Sequence, residues 1–81
     1  MDNKALHLVM KYAAKQAMDA YGEVPKFDVY IVWKAKILQN WKYLLSTTLA
    51  DGMYYELTYN DDKREWYFDA YRKVENICIP D

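Results

Sequence analysis

Residues 41–59, WKYLLSTTLADGMYYELTY, read as two strands on either side of a tight turn. Both arms are rich in aromatic and branched residues, which fit a pleated, half-buried surface. Ala50-Asp51-Gly52 between them is the strongest turn signal in the chain, because glycine takes a positive φ without a Cβ clash. Alternate positions are apolar: Tyr43, Leu45 and Leu49, then Tyr55, Leu57 and Tyr59. A side-chain period of two sends one set to a core face and the other outward. Strands are therefore expected over residues 41–49 and 53–59.

Working downstream, Asn60-Asp61-Asp62-Lys63 is a polar turn and residues 65–72 are a further strand. Its apolar parity flips to Trp66, Phe68 and Ala70, as a hairpin across Asp61-Asp62 requires. That hairpin would pair Leu57 with Trp66 and Tyr55 with Phe68. Residues 73–79 either extend this strand or form a short fifth one at 77–79. Upstream, residues 27–38 form the first strand, with Val29, Ile31, Trp33, Ala35 and Ile37 apolar. A two-residue Gln39-Asn40 turn would put Trp33 and Leu45 on opposite faces, since a one-residue slip inverts every side chain. A three-residue loop, Gln39-Asn40-Trp41, or a bulge beside it restores the parity, with Asn40 expected at positive φ.

Residues 3–21 have helical periodicity, with Leu6, Val9, Met10, Ala13, Ala17, Ala20 and Tyr21 on one stripe and Lys4, Lys11 and Lys15 opposite. Asp2 or Asn3 can cap the first turn, Gly22 can end the last, and Pro25 prevents resumption. The fold class is α+β: one N-terminal helix packed on a four-stranded antiparallel meander, or a five-stranded one if residues 77–79 join it. Residues 1–81 make a single domain. The expected core is Trp33, Leu45, Leu57, Trp66 and Phe68 against Val9, Met10, Ala13 and Ala17.

Composition removes several function classes. The single cysteine, Cys78, excludes an internal disulfide, and with the single His7 it cannot complete a four-ligand zinc site. No cofactor or metal is implied. No apolar run approaches the ~20 residues of a spanning helix, and Met1-Asp2-Asn3-Lys4 opens no signal peptide, so a cytoplasmic protein without a membrane partner is expected. Ser-His-Asp chemistry would need a serine and an acid placed around His7, which instead reads as a structural or surface histidine in the first helical turns. Cys78, between Ile77 and Ile79, reads as a buried, inert thiol. Asp61-Asp62 lacks the spaced ligands and closing Glu of a calcium loop, and Asp51-Gly52 lacks a phosphate-loop context. No catalytic residues are assigned, and the chain reads as a non-enzyme. The net charge of −1 disfavours nucleic acid, although Lys34, Lys36 and Lys42 lie near aromatic residues. Charge is uneven: residues 1–42 carry seven lysines and four acids, residues 43–81 four basic residues and eight acids. The simplest reading is that the halves neutralise each other within one domain.

One helix cannot cover both faces of a sheet. The uncovered face is expected to carry Tyr30, Leu44, Tyr54, Tyr67 and Tyr71, with Lys34, Lys36 and Glu56 as its charges. Tyrosines among charges fit a recognition surface better than a second core. This is the candidate binding site, for a homodimer contact, a host protein or both. The competing arrangement folds residues 74–79 back over the face. A different class of reading has an oligomer sequestering a nucleotide-like small molecule between aromatic rings beside Lys34 and Lys36.

The stretch Leu38-Gln39-Asn40-Trp41-Lys42, then Ser46-Thr47-Thr48, Asp51-Gly52-Met53-Tyr54-Tyr55-Glu56 and the closing Glu75-Asn76-Ile77-Cys78-Ile79-Pro80-Asp81, resembles a group of small proteins of unknown function from Gram-positive bacteria and their phages. The likeness lies mostly in residues 36–81. It implies no activity and no site residues. By analogy with small phage proteins that bind and block host proteins, bacterial immunity components included, it implies a host-protein partner.

Overall fold

A computed structural model describes residues 1–81. Helix α1 (Asp2–Tyr21) is followed by strands β1 (Val29–Ile37), β2 (Asn40–Thr47), β3 (Met53–Asn60) and β4 (Glu65–Arg72). The strands form one antiparallel sheet in the order β1-β2-β3-β4, with α1 on one face. This is the α+β meander expected. Residues 77–79 add no fifth strand.

Small residues let α1 approach the sheet closely. Ala5, Val9, Ala13 and Ala17, spaced at i, i+4, are its buried row. The stripe is rotated from the expected one: Leu6 is only half-buried, while Met10, Ala20 and Tyr21 are exposed. Leu8 and Tyr12 pack in their place. The helix backbone runs nearest β1 and β2, and Tyr12 reaches across to Tyr55 and Phe68, with ring centroids 5.6 and 4.9 Å away. No side chain caps the N-terminus; the N-cap is Met1, and Asp2 is engaged with the sheet instead. Gly22 ends the helix at φ 75°, its N–H donating to the Met18 carbonyl.

Tyr43, Leu45, Tyr55 and Leu57 are completely buried under α1, and Trp66 and Phe68 pack beside them. The β3–β4 parity is as expected, but the register is two residues away from the expected one. Leu57 faces Phe68, Tyr55 faces Ala70 and Tyr59 faces Trp66. The cause is a four-residue loop, Asp61–Arg64, with Arg64 at φ 54°. A shift of two preserves the face of every side chain.

The β1–β2 hairpin differs more. Its turn is two residues, Leu38-Gln39, with Leu38 rather than Asn40 at positive φ (55°). The register is broken inside β1, between Ile31 and Trp33, where Val32 bulges out. Ile31 lies opposite Leu45, whereas Trp33 lies opposite Leu44. Val29 and Ile31 therefore join the helix side, but from Trp33 onward the faces are inverted. Trp33 is not in the core; it is 44% exposed on the open face.

Candidate functional site

The open face is a grid of cross-strand rows. One row is Tyr30–Ser46–Tyr54–Tyr71 and the next is Trp33–Leu44–Glu56–Asp69. Then come Ala35–Lys42–Thr58–Tyr67 and Ile37–Asn40–Asn60–Glu65. Six of the eight expected site residues lie here: Tyr30, Leu44, Tyr54, Glu56, Tyr67 and Tyr71. Lys34 and Lys36 do not. The bulge at Val32 turns both to the helix side, where Lys34 faces Tyr43 and Lys36 faces Trp41. Lys34 Nζ donates to Asp2 Oδ2 at 2.7 Å, and Lys36 Nζ stands 5.6 Å from the Trp41 ring centroid. The two lysines invoked for holding a nucleotide-like molecule thus lie on the helix side, away from the exposed tyrosines.

In their place the bulge delivers Trp33, Ala35 and Ile37 to the open face. Local sequence carries no mark of this, because Val29, Ile31, Trp33, Ala35 and Ile37 alternate without a break. The one distant clue is Asp2, whose carboxylate gains a cation only if Lys34 turns toward the helix.

The face divides in two. On the β1 side it is apolar, with Tyr30, Val32, Trp33 and Ile37 all substantially exposed and Leu44 half-buried. On the β3–β4 side tyrosines alternate with acids. Glu56 and Asp69 stand directly opposite each other, an unfavourable like-charge pair. Lys42 Nζ lies 3.6 Å from Glu56 and offsets part of this repulsion. The Tyr67 hydroxyl donates to Glu65 at 2.9 Å; that hydrogen bond, ahead of the repulsion between the two charges, raises the phenol's pKa. Ser46, buried in the first row, donates to the Met53 carbonyl at 2.9 Å.

The C-terminal segment does not cover the face. Val74, Ile77 and Ile79 are exposed, and so is Cys78, contrary to the buried thiol expected. The apolar neighbours of Cys78 in sequence have no core to pack on, because the sheet ends at Arg72. His7 is exposed on the helix.

On the helix side, the Asp2 carboxylate accepts from Lys34 and, at 2.8 Å, from the Tyr43 hydroxyl. These hydrogen bonds hold its pKa below the usual carboxylate value, while burial and the same bond push Tyr43 up to about 12. Tyr55, also buried, rises to about 12, with Asp51 contributing after burial. The Tyr55 ring lines a cavity of about 200 Å³ between the end of α1 and the β2–β3 loop, shared with Gln16, Tyr21, Asp51 and Arg72. No three histidine, cysteine or acidic side chains cluster as a metal site would need. No helix is long and apolar enough to cross a membrane.

A family profile described as a family of unknown function matches residues 2–81, the helix included. No curated protein and no solved structure matches the chain.

Proposed function

The chain belongs to the family DUF6275, whose function is unknown, and from its own surface we propose that it is a non-enzymatic binding protein that works through the open sheet face. One observation carries this reading: Tyr30, Trp33, Tyr67 and Tyr71 are 44–51% exposed on a single face that neither α1 nor the C-terminal segment covers. Tyrosine and tryptophan bury large area at low entropic cost and keep a polar handle for water in the unbound state. A polar rim is present in Lys42, Glu56, Glu65 and Asp69, which suits a surface that must be both soluble alone and adhesive to a partner.

The partner in this reading is a host protein in the bacterial cytoplasm, which the chain inhibits or modulates. The resemblance of residues 36–81 to small proteins of Gram-positive bacteria and their phages supports a phage association, with components of bacterial immunity among the targets. The test is capture from a bacterial host lysate with mass spectrometry, run beside a Tyr30→Ser/Tyr67→Ser variant. Both side chains lie outside the core, so the variant should fold with an unchanged melting temperature and lose the captured host protein. Undiminished capture by a folded double variant would sink the reading, as would turnover of a nucleotide, ester or glycan by the purified chain that single substitutions abolish.

A further inference from the structure

The chain exposes more surface than its mass accounts for. Its accessible area is 6206 Å², whereas a compact monomer of 9.7 kDa exposes about 5,100 Å². Its radius of gyration is 14.3 Å, against about 12 Å for a compact domain of this length. The excess, roughly 1,100 Å² on that area relation, is more than the ~800 Å² that one protein contributes to a standard interface.

Two apolar surfaces are left without a partner. One is the C-terminal segment, where Val74, Ile77 and Ile79 are 93%, 63% and 81% exposed. The other is the apolar half of the open face, around Tyr30, Trp33 and Ile37. The segment is exposed throughout and does not pack on its own sheet. The Lys73 N–H donates to the Gly52 carbonyl at 2.7 Å, which carries the β3–β4 ladder one step beyond Met53–Arg72 and launches the chain along β4, off the sheet's end. Gly52, beside Lys73, takes φ 68°, which a glycine adopts without strain. Residues 73–81 contain no glycine and form no turn that would bring them back. Extended, they reach about 30 Å at ~3.3 Å per residue, comparable with the 38 Å breadth of the domain.

We propose that residues 74–79 are a strap that seats on the apolar half of the open face of a second copy, each copy giving its strap to the other. Every chain holds one donor segment and one acceptor face, so reciprocal exchange closes as a twofold dimer and leaves no unsatisfied end. Ile77 and Ile79, on the same side of an extended segment, meet Tyr30, Trp33 and Ile37. The acidic half of the face, with Tyr54, Tyr67 and Asp69, stays free for a host protein. The proposal rests on reading the open face as a contact surface.

Sedimentation equilibrium of the full chain tests it. The wild-type protein is expected to dimerise at micromolar concentration. Ile77→Asp/Ile79→Asp should weaken the dimer by about 100-fold or more with an unchanged melting curve of the monomer, because both side chains are exposed. In a Cys78→Ser background, Tyr30→Cys combined with Ile77→Cys or Ile79→Cys should form a covalent dimer on mild oxidation, and Tyr30→Cys alone should not. A wild-type chain that stays monomeric overturns the proposal. So does a strap variant that dimerises as tightly as wild type. If that dimer is instead lost in Tyr30→Ser/Tyr67→Ser, the strap falls while the face stands as a contact surface. If neither variant alters the dimer and host-protein capture also persists, both readings fall.

Discussion

Tyr43 and Tyr55 lie on one face of the sheet and Tyr30, Tyr67 and Tyr71 on the other. The first two are sealed under α1; the last three are about half exposed. Residue type does not separate them, and neither does position along the strands. What separates them is a row of small residues on the helix, Ala5, Val9, Ala13 and Ala17, which lets one face be covered at close range and leaves nothing for the other. The polar tips follow the same division. Tyr43 spends its hydroxyl on Asp2 inside the fold, whereas Tyr67 spends its own on Glu65, at the rim of the open face. A covered tyrosine is tied to the architecture; an open one presents its ring to solvent.

That comparison breaks most visibly at two leucines. Leu57 is completely buried and Leu44, one strand away on the opposite face, is half-buried. Leu57→Ala should cost about 3–5 kcal/mol through lost transfer energy and an unfilled cavity, close to the whole stability of a small domain. Leu44→Ala should cost under about 1 kcal/mol in the monomer. Urea denaturation of both, at a concentration where the chain is monomeric, gives the ratio. Equal losses would mean that the open face is a second core.

A smaller effect is expected where β1 crosses from one face to the other. Deleting Val32 removes the bulge and leaves a regular ladder, because Ile31 still faces Leu45 and Trp33 still faces Leu44, so every side chain of β1 keeps its face. Only the packing of the exposed Val32 side chain is lost, so the cost should be under about 1 kcal/mol, read from the same denaturation curves. The Asp28–Thr48 hydrogen bonds, at 2.9 and 3.0 Å, anchor the start of β1 and should persist. A loss as large as that for Leu57→Ala would show that the extra residue is not what carries β1 from one face to the other.

The element order, the helix, three of the four turn regions and the faces of β2, β3 and β4 are legible in the sequence, because burial on one side forces alternation and a slip of two residues leaves alternation intact. The slip at Leu57–Phe68 is invisible for the same reason. Six of the eight site residues follow from that alternation. Lys34, Lys36 and Trp33 do not, because a bulge in an unbroken run of alternating residues leaves no local trace. What pays out the inversion of β1 is a long-range contact, Asp2 with Lys34 and Tyr43, between residues that are 32 and 41 positions apart. The core row of the helix is similarly hidden, since Leu6, Met10 and Tyr21 are as apolar as the residues that displace them, and only the line of the helix across the sheet decides among them.

The smallest expected effect concerns that contact, the helix side's own use of charge. Asp2 is held below its ordinary pKa by hydrogen bonds from Lys34 and Tyr43. A carboxylate with a depressed folded value contributes its stability above the unfolded value, near pH 3.8, and loses it as pH falls through the folded one. Asp2→Asn should therefore lower the melting temperature at neutral pH, and the gap to wild type should close as pH drops below about 4. The loss should be well short of that for Leu57→Ala, because the ion pair is open to solvent and screened by salt. Asp2 also sits in the first turn of α1, where a negative charge is favoured by the helix dipole. Lys34→Gln separates the two contributions, since it removes the pair and leaves the dipole interaction. It should give a smaller loss than Asp2→Asn with the same direction of pH dependence. At the alkaline end Tyr43, raised to about 12, contributes stability that is complete below pH ~10 and is lost as pH rises through its folded value. If Tyr43→Phe leaves the alkaline melting profile unchanged, burial and the Asp2 contact do not act on the Tyr43 phenol in the way its surroundings require.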